Sequence, residues 1–126
     1  MSSLTDTGEN RALDWLTGNT VTAPVLPLQV ALVTVIGSDA AAGTEVVGGS
    51  YARQSVTFTA SAGGATSNSG TLTWSNMPAC TVVGVDVFDS AGSPVRWWWA
   101  PLSVNRTVAA GDSFSIPAGS LTLGMT

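Results

Sequence analysis

The sequence contains neither histidine nor lysine, and Cys80 is its single cysteine. Without histidine, a Ser-His-Asp or Cys-His catalytic triad and a histidine-liganded metal site are excluded. Without lysine, Schiff-base and Ser-Lys mechanisms are excluded as well. One cysteine forms no disulfide within the chain, and Cys80 is therefore expected to be a small buried hydrophobic residue.

Charged residues are also scarce, at 10% of the 126 residues, and the formal net charge is -4. The four arginines are scattered rather than clustered, which argues against nucleic acid as a partner. A two-carboxylate enzyme needs both acids on one face, whereas Asp86 and Asp89 would point to opposite faces if both lay in the strand predicted at residues 81–88. Asp89 is instead expected to open the turn that follows this strand. We therefore expect no enzymatic activity and no cofactor. A surface this poor in charge is typical of subunits that bury much of it in an assembly.

Long hydrophobic runs are missing too. The most apolar stretch, residues 25–36, is interrupted by Pro27 and Gln29 and is too short to cross a bilayer. The N-terminal residues include Asp6 and Glu9 and lack the apolar segment of a signal peptide. We expect no membrane partner.

One helix is predicted near the N-terminus. Asp6 precedes Glu9 at the spacing of a capping box, and Gly18 supplies a stop. Between them, apolar residues recur at helical spacing: Ala12, Leu13, Trp15 and Leu16. So short a helix is marginal alone in water, and its apolar side chains need either the sheet or a neighbouring subunit. We expect residues 1–20 to be an assembly element and residues 1–5 to fray.

The remaining residues, 21–126, are predicted to form one β domain. An extended arm at residues 20–27 would let the helix swing away from it. About seven to nine short strands separated by turns then predict a mainly β, antiparallel β-sandwich of jelly-roll-like topology. Residues 28–36 are apolar on both faces, which predicts a central strand. Residues 61–70 are rich in glycine, serine and alanine and predict a mobile, exposed turn.

The most distinctive segment is residues 43–54, where a glycine-containing turn leads into a predicted strand at residues 51–59. Tyr51 and Arg53 are two residues apart and so share a strand face, where the ring covers the arginine stem and the guanidinium reaches a carboxylate or carbonyl. A structural pair that fixes sheet register and anchors the turn is favoured over a ligand site.

Trp97, Trp98 and Trp99 are consecutive in another predicted strand. Alternation places Trp97 and Trp99 on one face and Trp98 on the other, so at least one ring leaves the domain core unless both faces are covered. These rings suit a subunit contact. The alternative is a sugar-stacking platform, which needs polar groups nearby, and Arg96 is the only charged candidate.

The chain resembles a family of short virion proteins of tailed bacteriophages, known as head fibre, head decoration or tail fibre proteins. Residues 43–54 are the most specific part of the resemblance. The other matching pieces occur in the family's order over nearly the whole chain: 12–18, 22–24, 28–32, 68–70, Leu72, Trp74, 77–78, 85–89, 108–112, Phe114, Ile116 and 118–121. The resemblance implies a non-enzymatic structural protein of the virion.

We therefore expect an oligomeric capsid decoration protein on the outer surface of the shell, because an acidic surface is repelled by packaged DNA. Its expected partners are copies of itself, in a homotrimer suited to three-fold shell positions, and the major capsid protein or other virion proteins. The alternatives are a tail fibre or minor tail protein that contacts the host, and a carbohydrate-binding module on a host surface glycan. The candidate assembly residues are Leu13, Trp15, Leu16, Tyr51, Arg53, Trp97, Trp98 and Trp99.

Overall fold

The structure, a computed structural model, describes residues 3–124. Its elements in chain order are β1 (Ser3–Leu4), α1 (Asp6–Leu16), β2 (Leu28–Val35), β3 (Thr44–Glu45), β4 (Gln54–Val56), β5 (Ala65–Ser67), β6 (Leu72–Trp74), β7 (Cys80–Phe88), β8 (Arg96–Val108), β9 (Phe114–Ile116) and β10 (Thr122–Gly124). The mainly β, antiparallel class with one short N-terminal helix is confirmed, whereas the jelly-roll-like topology stays a prediction. Within the described residues, no helix is long and apolar enough to cross a membrane.

The largest sheet has the strand order β1-β8-β7-β2-β3, and β4 shares with β3 the edge of β2 that faces away from β7. Strand β2 is central, as its two apolar faces predict. Its residues Val30, Ala31, Leu32 and Val33 are all buried. Successive side chains of β7 point to opposite faces of the sheet, and Val85 and Val87, two residues apart, both lie in the core.

Two smaller sheets, β5–β10 and β6–β9, complete the fold. One hydrophobic cluster includes side chains from all three sheets, among them Leu32, Trp74 and Leu123. The rings of Trp74 and Phe114 are tilted against each other with centroids 5.8 Å apart, a geometry that aromatic pairs prefer. This cluster fixes the small sheets against the large one.

The expectation that residues 1–5 fray is wrong for residues 3–5, while Met1 and Ser2 lie outside the described residues. Ser3 pairs with Trp99 and Leu4 with Trp98 on the edge of the large sheet. Ser3, Leu4 and Thr5 are too few and too polar for the sequence alone to predict a strand. Pairing with β8 therefore orders this segment.

Residues 61–70 are not a wholly exposed turn, because β5 lies within them and pairs with β10. Asn68 is buried, with its side-chain amide donating to the carbonyls of Gly70 and Pro117 and its Oδ1 accepting from the N–H of Leu121. The strand predicted at residues 51–59 is also shorter than expected, since β4 spans only Gln54–Val56. Tyr51 and Arg53 therefore lie in the loop that precedes it.

Candidate functional site

Helix α1 is held on β8 by its N-terminal turn. Its N-cap is Thr5, whose Oγ1 accepts from the N–H of Gly8 at 3.1 Å and donates to the carbonyl of Arg96 at 2.7 Å. The prediction that placed Asp6 at the N-cap is therefore wrong, since the N-cap is the preceding residue, Thr5. Gly8 is buried against the strand, where an added Cβ would lie 2.8 Å from the carbonyl oxygen of Trp97. Only glycine allows so close an approach of helix and strand.

Arg11 completes this contact, since its guanidinium carbon lies 5.0 Å from the centre of the Trp97 ring. At that distance the cation is attracted by the electron-rich face of the indole. Trp97 is consequently only 8% exposed, with its ring covered from the helix side. The docked side of α1 is thus formed chiefly by Gly8 and Arg11, with half-buried Ala12 beside them.

The apolar residues of α1 remain exposed in the chain. Leu13, Trp15 and Leu16 are 58%, 63% and 66% exposed. The sheet therefore does not cover these side chains. The other expected partner, a neighbouring subunit, stays a prediction. The arm that follows adds Val21, Val25 and Leu26, at 66%, 48% and 73% exposure. We call these six residues together the helix–arm surface.

A groove of about 300 Å³ runs between α1 and the arm, lined by Ala12, Trp15, Val21, Pro24, Trp97 and Trp98 among others. The arm is anchored at its C-terminal end. The carbonyl of Val25 accepts from the N–H of Ser90 at 2.8 Å, and the Ser90 hydroxyl donates to the carbonyl of Pro27 at 2.5 Å. The groove therefore has one wall fixed to the β7–β8 hairpin loop.

Asp89 is the polar centre of this arrangement and is 1% exposed. Its carboxylate accepts from the N–H groups of Val25, Ala91 and Val95 at 3.2, 3.2 and 2.9 Å, and from Trp97 Nε1 at 3.2 Å. Burial alone would raise the pKa of Asp89, but these hydrogen bonds outweigh it and lower that pKa below its ordinary value. Asp89 opens the hairpin loop, as expected, and also joins it to the arm.

The three consecutive tryptophans have different surroundings. Trp97 lies under α1, Trp98 is half-buried and packs against the main hydrophobic cluster, and the Nε1 of half-buried Trp99 donates to Asp39 Oδ1 at 2.8 Å. Both faces of β8 are thus covered at this point, by the helix on one side and the core on the other. The rings do not form one flat platform of the kind on which sugars stack.

Asp86, a buried acid of β7, belongs to a separate network. It pairs with Arg96, whose Nη1 lies 3.2 Å from Asp86 Oδ1, and accepts from the N–H of Gly43 at 3.1 Å. Arg96 also donates to the carbonyl of Ser38. Burial raises the pKa of Asp86, and the donors Gly43 and Arg96 offset only part of that rise. Asp86 and Asp89 thus accept hydrogen bonds from different donors, and they do not act as a pair.

Glu45 accepts hydrogen bonds from both Tyr51 and Arg53, the two residues singled out in segment 43–54. Tyr51 Oη donates to Glu45 Oε2 at 2.6 Å, and Arg53 donates from Nε and Nη2 to the two carboxylate oxygens at 3.1 and 2.9 Å. The Tyr51 hydroxyl also accepts from the N–H of Leu32 at 2.9 Å, and the Arg53 guanidinium lies 3.9 Å from the Phe88 ring centre. This Glu45–Tyr51–Arg53 clip ties β3 to β2.

Burial would raise the pKa of Glu45, but hydrogen bonds from Arg53 and Tyr51 lower it below its ordinary value. Burial and the hydrogen bond to Glu45 raise the pKa of Tyr51 well above its ordinary value, so the phenol stays protonated as a donor. The sequence predicts a carboxylate or carbonyl partner for Arg53 without naming Glu45. The signal for it was an acid in the same segment, eight residues before Arg53.

A second groove, of about 650 Å³, lies where the end of β8 faces β9 and β10, with Pro101, Val104, Arg106, Pro117 and Leu121 among its lining residues. Pro101 pairs with Gly84 and Arg106 with Val82, so residues 102–105 of β8 stand opposite a single residue of β7. This large bulge lifts Val104 out of the sheet, where it is 65% exposed. We call this feature the β8 groove.

Among residues 3–124, no three His, Cys, Asp or Glu side chains are grouped in a way that could hold a metal ion. No curated protein matches the chain. A family model described as podophage GP4 fiber I protein gp80 matches residues 3–124. That match covers nearly the whole sequence, and the chain therefore belongs to the podophage GP4 fiber I protein gp80 family, a family of phage fibre structural proteins.

Proposed function

We propose that the chain is a capsid decoration, or head fibre, protein that lies on the outer surface of the phage shell as a homotrimer. Family membership makes it a virion-associated fibre protein. The observation that carries the finer proposal is the helix–arm surface, whose six apolar side chains are 48–73% exposed. So many large apolar side chains exposed within residues 13–26 mark a site of protein–protein contact.

Covering this surface contributes favourably to assembly. Fully burying one leucine or valine side chain contributes about 1.5–3 kcal/mol. A partner that covered even half of the helix–arm surface would therefore gain several kcal/mol, which is offset in part by the entropy lost on association. Such an interface suits subunits that assemble once and stay in the particle.

The charge distribution supports an outer position. Three arginines are engaged within the chain, by Trp97, by Glu45 and by Asp86. The acids Asp6, Glu9, Asp14 and Asp112, in contrast, are exposed. A negatively charged surface is repelled by packaged DNA, whereas on the outside of the shell the same surface faces solvent and meets no such repulsion.

We also propose that the protein has no enzymatic role. Its two deeply buried carboxylates, Asp86 and Asp89, accept two and four hydrogen bonds from this chain. A carboxylate held in this way stabilises the fold and has little capacity left to transfer a proton to a bound molecule. The chemistry that remains favours a structural role.

The copy number in purified particles tests the position. Quantitative mass spectrometry, with the major capsid protein as internal standard, should give many tens to hundreds of copies per particle. A handful of copies would instead support a tail fibre or minor tail protein in contact with the host, which the same fibre family also accommodates. Absence from purified particles would contradict both positions.

A further inference from the structure

Arg106 differs from the other arginines of the chain. Arg11 lies over an indole, while Arg53 and Arg96 each pair with a carboxylate. Arg106 is exposed in the β8 groove, and no carboxylate or ring within residues 3–124 lies against it. The groove therefore combines apolar side chains, set among polar ones such as Ser103 and Ser120, with one unpaired positive charge.

Helix α1 carries a matching pattern on the side that faces away from its own sheet. Glu9, Leu13 and Leu16 are spaced by four and then three residues, so they lie along one helix face. All three are exposed. Gly8 and Arg11, which contact β8, lie on the other side. We call Glu9, Leu13 and Leu16 the helix stripe.

We propose that the helix stripe of one copy docks in the β8 groove of the next copy, with Glu9 paired to Arg106 and Leu13 and Leu16 packed beside Val104. The acid of the stripe is complementary to the cation of the groove, and its two leucines fit against the apolar side chains of the groove, Val104 among them. This proposal rests on the homo-oligomer of the proposed function and specifies its contact.

The helix of the same copy does not fill this groove. Thr5 and Gly8 fix α1 on Trp97, several residues before the groove begins at Ala100 and Pro101. That contact turns the stripe outward. Each copy thus offers one helix stripe and one β8 groove, which makes a head-to-tail contact. Contacts of this type close into rings when the rotation between copies permits it, and three copies make the proposed trimer.

Charge exchange tests the contact on the full chain. Sedimentation velocity across a concentration series gives the dissociation constant of the oligomer for wild type, Glu9→Arg, Arg106→Glu and the double variant. Each single reversal should raise that constant about tenfold or more, because it sets like charges against each other. The double variant should recover most of the affinity, with the pair in reversed order.

Asp14→Arg is the matched control, since it makes the same charge change on the same helix away from the stripe. It should leave the dissociation constant within about threefold of wild type, a difference of less than 1 kcal/mol. Circular dichroism melting checks that every variant stays folded. Leu13→Ser, which keeps all charges, should weaken the oligomer as well.

The outcomes separate this proposal from the proposed function. If wild type is a trimer while both reversals leave it so, or if the double variant is no tighter than the singles, the contact proposed here is wrong while the trimer of the proposed function stands. If wild type is a monomer, the contact and the trimer are both wrong. The copy number in the particle tests the virion position independently of either result.

Discussion

Replacing Arg53 with alanine tests the structural role of the Glu45–Tyr51–Arg53 clip. The change removes two hydrogen bonds to Glu45, at 2.9 and 3.1 Å, and the contact with the Phe88 ring at 3.9 Å. A hydrogen bond to a charged group contributes about 1.5–3 kcal/mol when well shielded. The Arg53 and Glu45 side chains are 27% and 30% exposed, so solvent screens part of that contribution.

We therefore expect Arg53→Ala to lower the free energy of unfolding by about 1–3 kcal/mol. For a domain of this size, each kcal/mol shifts the melting temperature by about 4 °C, so the shift should be about 4–12 °C. Differential scanning calorimetry at one fixed protein concentration measures it, because oligomerisation makes melting concentration-dependent. Arg53→Lys keeps the charge without the two-pronged geometry and should fall between alanine and wild type.

A double-mutant cycle attributes the loss to the pair. Glu45→Gln alone and Arg53→Ala alone should each destabilise, and the double variant should lose less than their sum, with a coupling of about 1 kcal/mol or more. An unchanged melting temperature for Arg53→Ala would refute the structural role of Arg53. Strict additivity in the cycle would show that Arg53 acts through Phe88 and not through Glu45.

Three further perturbations follow from the contacts around α1. Asp89→Asn should destabilise by about 2–4 kcal/mol in urea unfolding, because an amide cannot accept all four donors. The pKa of Asp89 is lower in the folded chain than in the unfolded chain, where it is about 4. The ionised carboxylate therefore stabilises the fold fully above about pH 4, and this contribution is lost as the pH falls through the folded-state pKa. Asp89→Asn should thus show a shallower loss of stability below about pH 4 than wild type, and equal slopes would count against this account. Gly8→Ala should loosen the helix by forcing its Cβ against the Trp97 carbonyl and make tryptophan fluorescence easier to quench with acrylamide, whereas Asn10→Ala, at an exposed position, should not. A chain that begins at Thr20 should keep its β signal in circular dichroism but lose oligomerisation, and outright unfolding would place α1 in the core.

Periodicity in the sequence predicted the long elements well. Strands β2 and β7 carry continuous or alternating apolar residues, and α1 has a helical stripe with a glycine stop. Residues with strong local preferences adopt the same conformation in most tertiary contexts, which explains this success. The tryptophan strand also alternates as predicted, with Trp97 and Trp98 packing on opposite faces of β8.

The parts that sequence could not predict depend on contacts between distant residues. Strand β5 is built from alanine, threonine and serine, and only its pairing with β10 makes it a strand. Glu45 becomes the partner of Arg53 because β3 is short and the chain turns back immediately after it. The coverage of Trp97 depends on Gly8, a residue that helix propensity disfavours and close packing requires.

An electron cryomicroscopy reconstruction of the intact phage particle, with icosahedral averaging of the shell, tests the central claim most directly. The account predicts density for three copies of this domain on the outer face of the shell at three-fold positions, with α1 between neighbouring copies. Density for the domain only at the tail, or on the inner face of the shell, would contradict it.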